Sequence, residues 1–179
     1  SDPLQITAAE FAQFQQLIHR IAGISMADSK RVLLMGRLGR RLRHHGLPSY
    51  GAYYKFVTQA AQAEELQLMV DLLTTNETYF FRESQHFDFL ANVILAGHPR
   101  DRSFDVWSAA SSTGEEIYTI AMVLADTLGL RAPWTVTGSD INKSVLATAE
   151  RGQYSLERTR GLSQEYLRKY CLKGVRENE

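Results

Sequence analysis

At 179 residues, with 44% apolar and 22% charged side chains, the chain has the balance of a folded globular protein, which excludes a disordered, fibrous or disulfide-stapled one. Twenty Lys and Arg stand against twenty Asp and Glu, so electrostatic recognition must come from a local patch. The lone Cys171 points to a reducing compartment without a disulfide, and no apolar run approaches the ~18 residues of a spanning helix.

Thr7-Ala8-Ala9-Glu10 reads as a capping box, in which the Thr7 hydroxyl and Glu10 carboxylate satisfy each other's free backbone N–H groups. A helix should start there, bury Phe11, Phe14, Leu17, Ile18 and Ile21, and stop at Gly23. A second helix is predicted from Ser29 to His45, with a Leu34, Leu38, Leu42 stripe and Gly46 just past its end. Its other side is basic: Arg37, Arg40, Arg41 and His44 recur at helical spacing, and Lys30, Arg31 and Arg43 broaden the surface. Two further helices are expected over 50–60 and 64–73, which makes residues 1–73 an all-helical domain.

The pattern changes at Thr74. A polar break, Thr74 to Thr78, precedes the aromatic trio Tyr79-Phe80-Phe81, expected to pack in a core. A helical run from Glu83 to Leu95 should turn Phe87, Leu90 and Ile94 inward. Phe104 to Ala109 reads as a strand, Ser111 to Gly114 as a turn, and Glu115 onward as a helix with Ile117, Ala121, Leu124 and Leu128 on one stripe. Trp134 to Gly138 forms a second strand ending at Ser139-Asp140, and Lys143 to Arg151 a helix closed by Gly152. Strand, small-residue turn, helix, strand, acid, helix opens a parallel α/β sheet over 74–179.

In such sheets ligands sit at the carboxyl ends of the strands. Small side chains from Ala109 to Gly114 allow close backbone approach, and Asp140, about twenty-five residues on, is placed to accept from a ribose hydroxyl. The turn has one glycine and lacks G-x-G-x-x-G. The acids Glu115 and Glu116 would repel a phosphate chain, unless they merely cap a helix, so the field suits a cationic or neutral nucleoside ligand.

Thr74 to Glu83 (TTNETYFFRE), Val106 to Tyr118 (VWSAASSTGEEIY) and Ser139 to Asn142 (SDIN) followed by Val145-Leu146 resemble, in order, the successive signatures of the chemotaxis receptor glutamate methyltransferases, the CheR family. The basic second helix is similar to that family as well. The resemblance implies a helical N-terminal domain followed by a Rossmann-like methyltransferase domain. The implied activity is methyl transfer from S-adenosylmethionine onto receptor glutamates, leaving S-adenosylhomocysteine. By position in the motifs Asn76, Thr78, Arg82, Glu116 and Asp140 would hold cofactor, with Glu115 the alternative to Glu116. Arg82 would also orient the substrate carboxylate, unless it pairs with Glu83 or Asp88. The docking surface would be Arg31, Arg37, Arg40, Arg41 and His44, unless that face is only solvated. Ile117 departs from the family's proline at the first helical turn, with little effect expected.

The implied partner is the cytoplasmic methylated region of a chemoreceptor, and the implied protein a cytoplasmic monomer that does not enter the membrane. Nucleic acid is disfavoured, because Arg37 to His44 offers no Asn or Gln base reader. The histidines His19, His44, His45, His86 and His98 lack ligand spacing, so no metal is expected. A second reading is a non-catalytic module that binds S-adenosylmethionine or its product and docks a partner through the basic helix. The missing initiator methionine, the charged end Val175 to Glu179 and the short sheet suggest a trimmed chain.

Overall fold

In the computed structural model, which describes residues 5–174, the predicted capping box is formed: Glu10 N donates to Thr7 Oγ1 at 3.2 Å and Thr7 N to Glu10 Oε2 at 2.8 Å. It opens α1 (Ala8–Ala22), which Gly23 ends at φ 67°. The other carboxylate oxygen of Glu10 accepts from Gly51 N at 2.7 Å, so the residue that caps one helix also fixes the start of another. Phe11, Phe14, Leu17 and Ile18 are buried as expected, but Ile21 is 37% exposed. Ile21 shares the direction of the buried stripe but stands one residue before the end of α1.

A 3-10 turn at Asp28–Lys30 leads into α2 (Arg31–His44), and Gly46 follows at φ 64°. Leu34, Leu38 and Leu42 are fully buried. Each contributes roughly 1.5–3 kcal/mol by leaving water. With α3 (Tyr50–Val57) and α4 (Ala63–Leu73) they build one apolar core around Phe14, Tyr53 and Met69. The chain folds as two compact units, the first ending at Thr75 and the second beginning at Asn76.

The second unit starts with α5 (Ser84–Phe89), which continues as a π-helix over Leu90–Ile94. Phe87 is buried and Leu90 half-buried, but Ile94 is 47% exposed and Leu95 takes the inward place. The reason is the wider turn: Leu95 N donates to Leu90 O at 2.9 Å, five residues back, so the inward face falls one residue later than an α-helix would put it. The aromatic trio also divides. Phe80 is core and Phe81 half-buried, whereas Tyr79 is 50% exposed.

Strands β1 (Phe104–Ala109) and β2 (Trp134–Ser139) pair in parallel, with Phe104 opposite Trp134 and Ala109 opposite Ser139. The crossover between them is α6 (Glu115–Leu128). Phe104, Val106, Trp134 and Val136 face a core that includes Phe87, Leu95, Ile120, Val123, Leu124 and Leu128. The other face carries Asp105, Trp107, Thr135 and Thr137 and is exposed. Asn142 caps α7 (Lys143–Arg151), which Gly152 ends at φ 60°. A 3-10 turn (Arg158–Gly161) and α8 (Gln164–Tyr170) complete the unit; the charged end, 175–179, lies outside the described residues.

Candidate active site

Beyond Ala109 the chain leaves β1 through a turn that no ordinary helix or strand dihedral can make. Ala110 has φ 60°, Ser112 φ 50° and Gly114 φ 96°. Left-handed backbone costs a non-glycine residue roughly 1–2 kcal/mol, so the turn must be held. Ser111 N donates to Ser139 O at 2.8 Å, which extends the strand pairing by one bond. The Asp140 carboxylate accepts from Ser112 N at 2.8 Å through one oxygen and from Asn142 N at 2.8 Å through the other. Asp140 thus staples the two strand ends together. Each of its oxygens keeps a second lone pair, so it remains able to accept from a ligand hydroxyl.

Sequence spacing leaves Glu115 and Glu116 equivalent, and packing separates them. Glu115 is fully buried; it accepts from Thr113 Oγ1 at 2.6 Å and pairs with Arg158. Glu116 is exposed and accepts from Ser108 Oγ at 2.7 Å, beside the end of β1. Successive helical residues point about 100° apart, so only one of the pair can look toward the strand ends. That one is Glu116.

Two glycines let the elements close. A Cβ on Gly114 would stand 2.8 Å from both the Ala149 Cβ and the Tyr154 hydroxyl. A Cβ on Gly138 would collide with Ile117, whose side chain occupies the space that Gly138 leaves open, which is how an isoleucine is accommodated at this position. Beneath Gly138 the Ser111 hydroxyl, 1% exposed, has no hydrogen-bond partner among the described residues.

The segment Asn76 to Glu83 lies against this turn, with Ser112 Oγ donating to Asn76 O at 3.4 Å. Its anchor is Phe80, packed with Met122 and Leu162, and Gly161 approaches the Phe80 carbonyl too closely for any side chain. Phe81 N donates to Thr119 Oγ1 at 3.3 Å. Phe81 and Glu83 both take left-handed backbone, at φ 57° and 56°, on either side of Arg82. Every non-glycine residue with positive φ among the described residues belongs to this segment or to the Ala110–Ser112 turn. Such strain persists only where the surroundings impose it.

The Arg82 guanidinium is exposed and donates to Glu77 O at 2.6 Å; among the described residues it pairs with neither Glu83 nor Asp88. Thr78 is half-buried on the same segment. The fold therefore brings Asn76, Glu116 and Asp140 to one end of the sheet. Arg82 stands further along the segment that begins at Asn76, with its side chain folded back on that segment. The donor set, two carboxylates around a turn of small residues, fits the ammonium and hydroxyl groups of a nucleoside amino acid better than it fits a phosphate chain.

The basic residues of α2 fall into two groups. Arg31 donates to Ile6 O, Arg37 to Leu72 O at 3.0 Å and Thr74 O at 3.1 Å, and Arg41 pairs with Glu65 at 2.5 Å. Arg40, Arg43 and His44 are exposed. Glu65 is itself buried, also accepts from Tyr53 at 2.9 Å and lies 3.1 Å from His45. No spacing argument could have found this cluster, because Glu65 belongs to a different helix.

A groove of about 600 Å³ lies at the opposite, N-terminal edge of the sheet, lined by Arg100, Gly129, Arg131 and Lys169, away from the strand ends described above.

Residues 9–74 match the family model described as CheR methyltransferase, all-alpha domain, and residues 76–179 that described as CheR methyltransferase, SAM binding domain. The chain is 44% identical over 183 residues to a chemotaxis protein methyltransferase of Escherichia coli strain K12, covering 100% of this chain and 62% of that protein. A chemotaxis protein methyltransferase of Salmonella typhimurium is 44% identical over 98% of this chain and 60% of its own length. Chemotaxis protein methyltransferase 2 of Pseudomonas aeruginosa is 40% identical over 96% of this chain and 61% of its own. The chain thus spans about 60% of the length of these curated relatives.

Proposed function

The chain belongs to the CheR methyltransferase family, and on that premise we propose that it serves transfer of a methyl group from S-adenosylmethionine to glutamate side chains in the cytoplasmic region of a chemoreceptor. The observation that carries this reading is the pairing of Glu116 and Asp140 at adjoining carboxyl ends of two parallel strands, around a turn of small residues.

S-adenosylmethionine, when bound, supplies a sulfonium-activated methyl group. A glutamate with a reference pKa near 4.3 is already an anionic nucleophile at neutral pH, so the chain need not provide a general base. Its task is alignment and the exclusion of water, which together can be worth roughly 7–11 kcal/mol. Asp140 would accept from ribose hydroxyls and Glu116 from the ammonium or hydroxyl groups, with Asn76 at the same end of the sheet and Thr78 two residues further along its segment. Arg82 orients the incoming carboxylate through its planar donors, of which only the bond to Glu77 is committed among the described residues. The exposed residues Arg40 and His44, with Arg43 beside them, meet the acidic receptor helices, while Arg31, Arg37 and Arg41 hold α2 in place.

Calorimetry with S-adenosylhomocysteine, followed by transfer of labelled methyl groups to receptor membranes, tests the reading. Binding and transfer are expected from the wild type. Arg82→Ala should lower turnover about a hundredfold or more with an unchanged melting temperature. Near-normal methylation by that variant would remove Arg82 from the mechanism, and binding without transfer by the wild type would favour the non-catalytic module.

A further inference from the structure

The chain that follows α7 returns to the cofactor turn from behind. Tyr154 donates its hydroxyl to Thr113 O at 2.6 Å. Arg158 donates to Thr113 Oγ1 at 2.9 Å and pairs with the Glu115 carboxylate. Gly114, between those two residues, has room for nothing larger against Tyr154 and Ala149. Three consecutive residues at the exit of the turn are thus fixed by two side chains some forty residues further on.

The partners differ in kind. Glu115 is 0% exposed, and a carboxylate taken out of water needs a counter-charge and hydrogen bonds. Arg158 is 43% exposed and stands at the rim, where one guanidinium nitrogen, Nη2, reaches Glu115 and Thr113 together. Burial, with Glu115 nearby, pushes the Tyr154 phenol above its ordinary range, so it stays protonated and able to donate. Among the described residues neither side chain hydrogen-bonds to or pairs with Glu116 or Asp140.

We propose that Tyr154 and Arg158 are positioning residues of the cofactor site: by clamping Thr113 and Glu115 they set where α6 begins, and hence where Glu116 and the Ser112–Asp140 contact stand. This rests on the reading of Glu116 and Asp140 as cofactor ligands. A merely structural clamp would change the melting temperature, yet leave ligand affinity unaltered at temperatures where the protein is fully folded.

The test measures S-adenosylhomocysteine affinity of the 179-residue chain by calorimetry, well below the melting temperature of each variant, and amide hydrogen exchange over residues 111–116. Tyr154→Phe keeps the ring and its edge contact with Phe80, 5.0 Å between centroids, and removes one hydroxyl. It should weaken binding about threefold and speed exchange at Gly114 to Glu116. Arg158→Lys keeps the charge but sets its nitrogen one bond short of Nη2, so both bonds are stretched, and it should weaken binding by about tenfold. Arg160→Ala serves as the control: Arg160 lies 4.0 Å from Glu157, both nearly four-fifths exposed, and its loss should change neither readout. If the wild type binds while Tyr154→Phe and Arg158→Lys bind equally well, the clamp has no positioning role and the proposed function stands. If the wild type binds no S-adenosylhomocysteine, both readings fall.

Discussion

Arg41 carries the same charge as Arg40 and occupies the next position on α2, yet the two residues serve opposite ends. Arg41 reaches Glu65 through Nε at 2.8 Å and Nη2 at 2.5 Å, whereas Arg40 is exposed. Reversing both exposed arginines, Arg40→Glu with Arg43→Glu, should weaken receptor binding and flatten its salt dependence while leaving the melting temperature unchanged. Arg41→Glu should instead lower stability by about 3–5 kcal/mol, because it strands a buried carboxylate beside a like charge. Salt titration of receptor binding, paired with urea unfolding of each variant, checks both outcomes; equal receptor affinity after the double reversal would dismiss the docking face.

Among the elements, the helix over 84–94 departs most from its sequence pattern. Phe87, Leu90 and Ile94 have α-helical spacing, and an α-helix would have buried all three. The π-turn bond from Leu95 N to Leu90 O adds a residue to the last turn and delivers Leu95, 3% exposed, to the core. Leu95→Ala should therefore cost about 2–5 kcal/mol of stability, against less than about 0.5 for Ile94→Ala. Chemical denaturation of the two variants decides between the π-turn and an unbroken α-helix, in which the order of the costs would reverse. On α6 only Leu124 and Leu128 of the stripe read from Ile117, Ala121, Leu124 and Leu128 are buried; Ile117 and Ala121 are half-buried, and the buried face takes in Ile120, Met122, Val123 and Ala125. A helix covered both by a sheet and by later segments of the chain has no polar side broad enough to leave a simple period.

Across the whole molecule, response to acid should be dominated by the first unit. Burial raises the pKa of Glu65, but hydrogen bonds from Arg41, His45 and Tyr53 outweigh it and bring the carboxyl from 4.5 down to about 2. The unfolded chain then takes up this proton first, so the stabilisation is complete above pH 4.5 and is lost as pH falls toward 2. Its size is about 3 kcal/mol at one unit per 1.36 kcal/mol. Stability measured by urea unfolding should fall by that amount between pH 5 and pH 2 beyond the general acid loss, and Glu65→Gln should abolish the extra fall. An acid limb unaltered in that variant would show the cluster to be energetically silent.

The capping box at Thr7, the leucine stripe of α2, both strands and the closing glycines Gly23, Gly46 and Gly152 were legible because each is a local rule, written within a few residues of one another. So was the end of the sheet at which the small-residue turn meets Asp140: parallel strands joined by a helix can place such a turn and an acid side by side only at their carboxyl ends. Which of Glu115 and Glu116 faces that end was decided by Arg158, forty-three positions away. Which arginines of α2 stay in solvent was decided by Glu65 and by the carbonyls of Leu72 and Thr74. A side chain's period sets the direction in which it leaves its own helix, but its environment belongs to whatever the rest of the chain brings there, and that is settled only when the core closes.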